Sequence, residues 1–466
     1  MSVARRIPLN PCDYLYFAHH DWLRRTVQSG NIAFMMIDAE GHPDPDDIKD
    51  ALAAAMLAHP VTIAKLKISL ARGRPYWCIP RSLPQAAQRA AEQAYCYDDL
   101  RTSNDWQARL DQLCLQRYAP DWDLAAGPQV RFEQYALPND ATRFCIRWPH
   151  LLMDAEGAQL FLWEIERRHP SDSGAQSPQG GGLPPEIAPD DDTIDVLADH
   201  AVTQRLRWFR RGFSLSSDRK DLQARPLFAD ADSKLTDFGL VYRNWNPEEV
   251  RQIQDNAKRT TPGGPALYAR HLAACVIRAL HRVYIEAGKE TDAYLITLPL
   301  RVTLRDRHGN IRKKRPVPGN YLVSPTLCGR LDVVADKQAL AADILHQLDA
   351  YRQADGDLVQ WTLISAATHM RASWYPLLFQ LPLGFETLSS GFSYYGEPIR
   401  SVRSLGGCKL TNVCGGGPLA TPPGWNPTFS KFQDRLNLTM TWNRPAVPDD
   451  VANRYVDFIE QEILAQ

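Results

Sequence analysis

A histidine and an aspartate four residues apart are the part of this sequence best suited to do chemistry. His150 follows an alternating segment, 143–148, whose apolar and charged residues fall on opposite faces of a strand. Pro149 cannot donate to a sheet ladder, so the strand should end there, and residues 156–167 carry an apolar stripe typical of a helix. An imidazole between a strand end and a helix start, with Asp154 nearby, is well placed to remove a proton from a bound nucleophile.

The spacing alone is weak evidence for an active site. With twelve histidines in the chain, a histidine followed four residues later by an aspartate is expected about once by chance. Two longer segments are more specific: residues 150–157 read HLLMDAEG and residues 121–131 read DWDLAAGPQVR. They resemble the HxxxDG signature, and the FDLxxGPxxR segment before it, of the acyltransferase superfamily that includes chloramphenicol acetyltransferase, nonribosomal peptide condensation domains and bacterial wax ester synthases.

The resemblance extends over nearly the whole chain. Segments similar to the motifs of the wax ester synthase branch follow one another in the same order. They are PLNPCD at 8–13 for PLSxxD, His59 and Pro60 followed by PYW at 75–77, LPLR at 298–301 for PVSxR, Gly319 and Asn320 for GN, and SYYGEP at 393–398 in the place of SNVPGP.

The sequence departs from the signature at two points. Pro149 replaces the first of the two adjacent histidines that the family often has, but the catalytic role belongs to the second, so His150 is retained. In addition, Ala155 and Glu156 separate the aspartate from Gly157. This insertion changes the local turn and any backbone contact to substrate near it.

The resemblance implies an α/β (α+β) fold with two chloramphenicol acetyltransferase-like subdomains that form a V, and with His150 in the tunnel between them. Residues 171–192 are rich in Ser, Gly, Pro and Asp and lack periodicity, which is typical of a linker. We therefore expect an N-terminal subdomain over 1–175 that carries the HxxxD motif, a linker over 176–192 and a C-terminal subdomain over 193–466.

Capping residues and periodicity predict further elements. A strand over 32–37 should precede a helix that is capped by Asp44 and has Pro45 in its first turn. In the second half the patterns predict a helix over 266–287, a strand over 294–298, a helix over 337–352 and a final helix capped by Asp449 or Asp450.

The resemblance also implies a reaction, the transfer of an acyl group from a thioester on coenzyme A or a phosphopantetheine arm to an alcohol or amine. A base must take the proton of the acceptor, and a neutral imidazole is available near pH 7 because its reference pKa is about 6.5. We assign this role to His150. Holding both substrates in one tunnel supplies proximity without a covalent intermediate, and no tightly bound cofactor is expected.

Further site residues follow from the same resemblance. Asp154 should form a buried salt bridge that shapes the loop, with Arg301 of the LPLR segment as its partner, rather than transfer a proton. The residues that could line the tunnel are Gly157, Asn320, Ser393 and Gly396. The last three could also help to stabilise the oxyanion, although a turn or core role is equally open for each of them.

Two basic segments could bind a partner. Arg312, Lys313 and Lys314 could hold the phosphates of coenzyme A or face an acidic acyl or peptidyl carrier protein, and a solvated loop without a ligand is an equal alternative. Arginines interleaved with aromatic residues over 205–213 could contact anionic lipid or a partner. Such a helix is more often simply packed, so we do not favour a membrane-surface role.

Composition argues against several other classes. The formal net charge of −1 does not favour nucleic-acid binding. The nine cysteines include no CxxC pair, which argues against a disulfide scaffold or a zinc site and for reduced thiols in a cytoplasm. Neither a signal peptide nor an apolar run of about eighteen residues is apparent. We expect a cytoplasmic monomer that holds no metal.

Three functions therefore remain open from sequence. The leading one is a free-standing acyltransferase of lipid or secondary metabolism. The second is a non-catalytic condensation-like module that binds an acyl carrier protein, which Pro149 and the altered spacing before Gly157 motivate. The third is a thioester hydrolase in which water is the acceptor. The identity of the acceptor, the acyl length and the choice between coenzyme A and a carrier protein are not encoded in readable motifs.

Overall fold

The computed structural model describes residues 5–69, 73–118, 122–169, 196–197, 200–217, 227–228, 237–264, 266–302, 319–374, 388–397, 402–417, 419 and 423–465. The predicted linker, 176–192, lies outside these ranges. The proposed division at that linker therefore stays a prediction.

The first half contains seven strands and five α-helices within the described residues. They are β1 (Arg6–Pro8), α1 (Pro11–Thr26), β2 (Ile32–Glu40), α2 (Pro45–Ala58), β3 (Lys65–Ile68), β4 (Pro75–Cys78), α3 (Leu83–Ala94), β5 (Tyr95–Asp99), α4 (Trp106–Tyr118), β6 (Arg131–Leu137), β7 (Ala141–Pro149) and α5 (Ala155–Arg167).

The second half continues the alternation of helices and strands. Its described elements are α6 (Val202–Ser217), β8 (Phe238–Trp245), α7 (Pro247–Thr260), α8 (Leu267–Glu286), β9 (Ala293–Thr297), β10 (Leu300–Arg301), β11 (Leu322–Val323), β12 (Thr326–Arg330), α9 (Leu331–Val334), α10 (Lys337–Gln353), α11 (Gly356–Ala367), β13 (Ser393–Tyr394), β14 (Ser404–Leu405), β15 (Cys408–Gly416), β16 (Trp425–Phe432), β17 (Arg435–Asn443) and α12 (Asp449–Leu464).

A six-stranded sheet forms the centre of the first half, with the strand order β14-β15-β2-β7-β6-β5. The alternation predicted for β7 is confirmed, because Phe144, Ile146 and Trp148 are buried in one core with residues of α2 and α5. The opposite face of β7 carries Arg143, Cys145 and Arg147. Cys145 belongs to a second cluster that also contains Phe238 of β8, so this face looks toward the second half.

A four-stranded sheet, β13-β16-β17-β8, forms the centre of the second half. In β17, Leu436, Leu438 and Met440 pack into a core with α8 and α12. The alternate residues Asn437 and Thr439 are buried on the other face, where Asn437 bonds to Asn412 of β15. A polar layer therefore lines this side of the sheet, because the strand period places every second residue there.

Strand β15 comes from the second half but completes the sheet of the first. Its residues pair antiparallel with β2, from Leu410 opposite Ala39 to Gly416 opposite Phe34. No sequence pattern predicted this pairing, because a strand alternation does not specify a partner that lies far away in the chain. The pairing of β15 with β2 connects the two halves through main-chain hydrogen bonds.

Helix starts were predicted with mixed success. The Asp44 carboxylate caps α2 by accepting the N–H of Asp46 at 2.7 Å, as expected. The cap predicted for the last helix is wrong, because Pro448 occupies the N-cap of α12 and Asp449 is already helical. Asp449 instead accepts hydrogen bonds from the indole of Trp442 and the guanidinium of Arg444, a tertiary role that a local pattern cannot reveal.

A buried ion pair lies on the inward face of the first sheet. Arg147 of β7 pairs with Glu133 of β6, and both side chains are 3% exposed. Glu133 also accepts the hydroxyl of Tyr135 at 2.6 Å, and Arg117 donates to that hydroxyl at 3.0 Å. Because each charge is removed from water, each depends on its partner.

Breaking this pair should destabilise the protein strongly. We expect Glu133→Ala to lower the free energy of unfolding by about 3–5 kcal/mol, because the Arg147 charge would stay buried without its counter-ion. Urea unfolding followed by circular dichroism measures the effect. Asp99→Ala, which removes the exposed partner of Arg101, is the matched control and should leave the midpoint unchanged. A Glu133→Ala midpoint equal to that of the control would contradict the assignment.

Candidate active site

His150 lies just beyond the end of β7, at the turn into α5. Its backbone N–H donates to the carbonyl of Asn31 at 2.7 Å, and the N–H of Leu152 donates back to Pro149 at 2.8 Å. These bonds fix the turn. The residue as a whole is half-buried.

The side chain of Asn320 orients the imidazole. Its Nδ2 donates to the backbone carbonyl of His150 at 2.8 Å, and its Oδ1 lies 3.1 Å from Nδ1 of the same residue. A carbonyl can only accept, so the amide nitrogen must face it and the amide oxygen must face Nδ1. Nδ1 therefore carries the proton, and Nε2 is left with its lone pair.

Helix α1 supplies a second support that sequence reasoning did not identify. Asp13 accepts both the backbone N–H and the side-chain Nδ2 of Asn320, at 2.9 and 2.8 Å. One turn along the helix, the ring of Tyr16 stacks on the imidazole of His150 with centroids 4.1 Å apart. The i, i+3 spacing of Asp13 and Tyr16 could have indicated a shared face, but nothing in the sequence named its target.

Asp154 joins the same site through backbone groups. Its Oδ1 caps α5 by accepting the N–H groups of Glu156 and Gly157 at 3.1 and 3.0 Å. Its Oδ2 accepts the N–H of Tyr321 at 3.3 Å, and its own N–H donates to Gly319 at 3.4 Å. Asp154 thus connects the turn after His150 to the segment that carries Asn320.

The predicted salt bridge between Asp154 and Arg301 needs correction. Within the described residues, the ion pair of Arg301 is with Glu156, one of the two inserted residues, and more than half of the arginine side chain is exposed. The physical reason is that Asp154 faces inward to cap α5, whereas Glu156 lies in the first helical turn and faces the arginine. The arginine therefore supports the loop through the inserted residue.

The other predicted site residues are less closely joined to His150. Gly157 lies in the first turn of α5, where an added Cβ would come within 2.6 Å of Met153 Cβ. Ser393 pairs in β13 with Thr428, and Gly396 follows in a turn at φ +66°. Among the described contacts, none links Ser393 or Gly396 directly to His150. The predicted phosphate-binding residues, Arg312, Lys313 and Lys314, lie outside the described residues.

Burial controls the charge of the two imidazoles in this region. Desolvation lowers the pKa of His150 below its usual 6.5, although the Asp154 charge and the Asn320 hydrogen bond oppose the shift. Desolvation, followed by the charge of His150, lowers the pKa of His19 to about 3. His150 is therefore neutral near pH 7, which is the form that can accept a proton.

The described residues form neither a metal-binding cluster nor a membrane-spanning helix. No cluster of three or more His, Cys, Asp or Glu side chains is arranged there to hold a metal ion. None of the helices described is both long and apolar enough to cross a bilayer.

Solved structures share this fold along nearly the entire chain. The first condensation domain of the calcium-dependent antibiotic synthetase, in complex with a substrate analogue, has a TM-score of 0.71 at 15% identity and covers 99% of this chain and 98% of its own. The trichothecene 15-O-acetyltransferase of Fusarium sporotrichioides has a TM-score of 0.66 at 13% identity and covers 99% of this chain and 95% of its own. The starter condensation domain of rhizomide synthetase, in complex with C8-CoA and Leu-SNAC, has a TM-score of 0.63 at 14% identity and covers 98% of this chain and 94% of its own.

Sequence comparison adds no further relative, since neither a family model nor a curated protein matches the chain. The structural likeness nevertheless confirms the predicted α/β fold class. The chain has the fold shared by condensation domains and the trichothecene acetyltransferase, as the resemblance to the chloramphenicol acetyltransferase-like superfamily implied.

The carboxyl group of Asp13 should make stability depend on pH. Burial raises the pKa of Asp13 to about 8, although the hydrogen bonds from Asn320 oppose the shift. A carboxyl group with a raised folded-state pKa stabilises the fold below its unfolded pKa, near 3.9, and that stability is lost as pH rises toward 8. Asp13→Asn cannot ionise and should remove this decline.

Urea unfolding between pH 5 and 9 tests this expectation. The stability of Asp13→Asn relative to the natural protein should increase from pH 5 to about pH 8 and then level off. Asp21→Asn, on the same helix but paired at the surface with Arg25, is the control and should follow the natural protein. A difference between Asp13→Asn and the natural protein that stays constant with pH would show that Asp13 is ionised throughout.

Proposed function

We propose that this protein is an acyltransferase that moves an acyl group from a thioester to an alcohol or amine, with His150 as the general base. The observation that carries the proposal is the geometry around His150. Asn320 occupies Nδ1, Tyr16 covers one face of the ring, and the residue is still partly exposed. Nε2 is thus the ring nitrogen available to a substrate.

The reaction follows from the unprotonated state of Nε2. Nε2 accepts the proton of the acceptor O–H or N–H while the oxygen or nitrogen attacks the thioester carbonyl. The tetrahedral intermediate then collapses by breaking the C–S bond, and the departing sulfur recovers the proton from Nε2. Ester or amide and free thiol are the products, so His150 ends each cycle unchanged and no acyl-enzyme is needed.

The donor and the surroundings of the reacting carbonyl extend this proposal. The starter condensation domain with a similar fold was solved with C8-CoA and Leu-SNAC, which supports a thioester donor on coenzyme A or on a phosphopantetheine arm. We assign Gly157, Ser393 and Gly396 to the walls of a substrate tunnel, and Arg312, Lys313 and Lys314 to the donor phosphates. The tunnel assignment rests on the resemblance of these segments to family motifs, and the phosphate assignment rests on the run of basic residues in the sequence.

Replacing the base should abolish most turnover without unfolding the protein. We expect His150→Ala to reduce kcat/KM by about 10²–10⁴, the contribution typical of a general base. Thiol release from octanoyl-CoA and octanoyl-N-acetylcysteamine, measured with primary alcohols and amines, gives the rate. His346→Ala changes an exposed histidine on α10 and should be as active as the natural protein.

The same assay separates transfer from its two alternatives. Thiol release that is unaffected by any acceptor would identify a hydrolase. Saturable binding of the thioester without thiol release, in the natural protein and in His150→Ala alike, would identify a binding module. Full activity of His150→Ala would remove the proposed base.

The pH dependence should report on the link between His150 and Asn320. Since burial lowers the pKa of His150, the acid limb of kcat/KM should fall below pH 6.5. The Asn320 hydrogen bond raises that pKa, so Asn320→Leu should shift the limb to still lower pH. It should also reduce kcat by about tenfold or more, because the ring loses its fixed tautomer. If Asn320→Leu changes neither kcat nor the acid limb of the kcat/KM profile, a positioning role for Asn320 is excluded.

A further inference from the structure

A cavity of about 610 Å³ lies at the other end of β7 from His150. Arg143, seven residues before His150, is on its wall, which places the cavity roughly 23 Å from the candidate base along the strand. The volume is within the range of 300–1,000 Å³ that is usual for ligand pockets. Its lining residues come from α4, β7, β8, β15 and β17, with Arg444 beyond β17, and include Gln107, Asp111, Leu115 and residues 240–244.

One wall of this cavity is the edge of a sheet. Strand β8 is the last strand in the order β13-β16-β17-β8 and pairs on one side with β17. Five consecutive residues of β8, 240–244, line the cavity. Side chains alternate between the two faces of a strand, so five lining residues in a row place the backbone of β8 itself at the cavity wall.

The register shows which backbone groups point into the cavity. The N–H of Arg444 donates to the carbonyl of Asp237 at 3.3 Å, so this pair is hydrogen bonded across the two strands. Hydrogen-bonded pairs alternate along an antiparallel ladder. Leu240, Tyr242 and Asn244 consequently direct their N–H and C=O groups away from β17 and toward the cavity.

These groups have few partners in the protein. The carbonyl of Tyr242 accepts the guanidinium of Arg243 at 3.2 Å. Among the described hydrogen bonds, the backbone N–H groups of Leu240, Tyr242 and Asn244 donate to no protein atom. Unpaired strand edges are usually covered, shortened or charged, because they are templates for another strand.

We propose that this cavity binds an extended peptide of about four residues, which adds as a strand to the edge of β8 that has no strand partner among the described residues. The exposed edge from Leu240 to Asn244 is about 13 Å long, which matches a short extended peptide at roughly 3.3 Å per residue. A peptide supplies donors and acceptors at the spacing of the edge. A second copy of the chain would bring its own sheet, which is too large for a cavity of 610 Å³. This inference does not depend on the chemistry at His150.

A pair of substitutions at one position tests the proposal. Leu240→Pro removes an N–H that faces the cavity and leaves the ladder to β17 intact, a position in which a strand tolerates proline. Leu240→Ala keeps the N–H and is the matched control. The probe is the peptide acetyl-Thr-Val-Thr-Val-amide, with binding measured by calorimetry and by hydrogen exchange of the amides of Leu240, Tyr242 and Asn244.

We expect the peptide to slow exchange of these three amides, to bind Leu240→Ala as well as the natural protein, and to bind Leu240→Pro at least about tenfold more weakly. Should Leu240→Pro not fold, Leu115→Trp, which fills the cavity from α4, should cause the same loss. Equal binding to Leu240→Pro, or no protection of the three amides, would overturn the proposal. Equal protection of these amides by pantetheine would also overturn the proposal, because it would show that the cavity accepts any small molecule with two amide groups. Protection that appears together with a doubled mass in sedimentation would overturn it as well, because it would show that a second copy of the chain covers the edge.

Discussion

The amide of Asn320 is the interaction on which the candidate site depends. It joins three segments that are far apart in the chain: α1 through Asp13, the end of β7 through His150, and its own segment before β11. The carbonyl of His150 fixes which way the amide points, and the amide in turn fixes which imidazole nitrogen carries the proton. One buried side chain therefore sets both the position and the protonation of the base.

The rest of the fold holds these segments in place. Asp154 caps α5 and binds the backbone of Tyr321, so the turn after β7 and the segment that carries Asn320 cannot move independently. Strand β15 crosses from the second half into the first sheet beside β2, the strand that pairs with β7. The ion pair of Arg147 and Glu133 is buried on the inward face of that sheet. A displacement of one half against the other would disrupt the first two of these arrangements.

Sequence predicted the local elements of this structure well and their tertiary partners less well. The alternation before Pro149, the capping of α2 by Asp44 and the long helix α8 were all visible, because each depends on neighbouring residues. The family resemblance drew attention to His150, Asp154 and Asn320, but not to the role of Asp13 as the support of Asn320. The partner of Arg301 was missed because the choice between Asp154 and Glu156 depends on which carboxylate faces inward at the helix start. The place of β8 at the end of its sheet, within the part of the chain that the structure describes, likewise depends on the order of strands, which no local pattern encodes.

The tautomer of His150 is the most direct measure of this arrangement. Selective ¹⁵N labelling of histidine, with two-dimensional NMR assigned by comparison with His150→Ala, distinguishes a protonated Nδ1 from a protonated Nε2. The network around Asn320 predicts that, at pH 7 and without substrate, His150 is neutral with its proton on Nδ1 and a bare Nε2. A proton found on Nε2, or a charged ring at that pH, would contradict the assignment of Nε2 as the base.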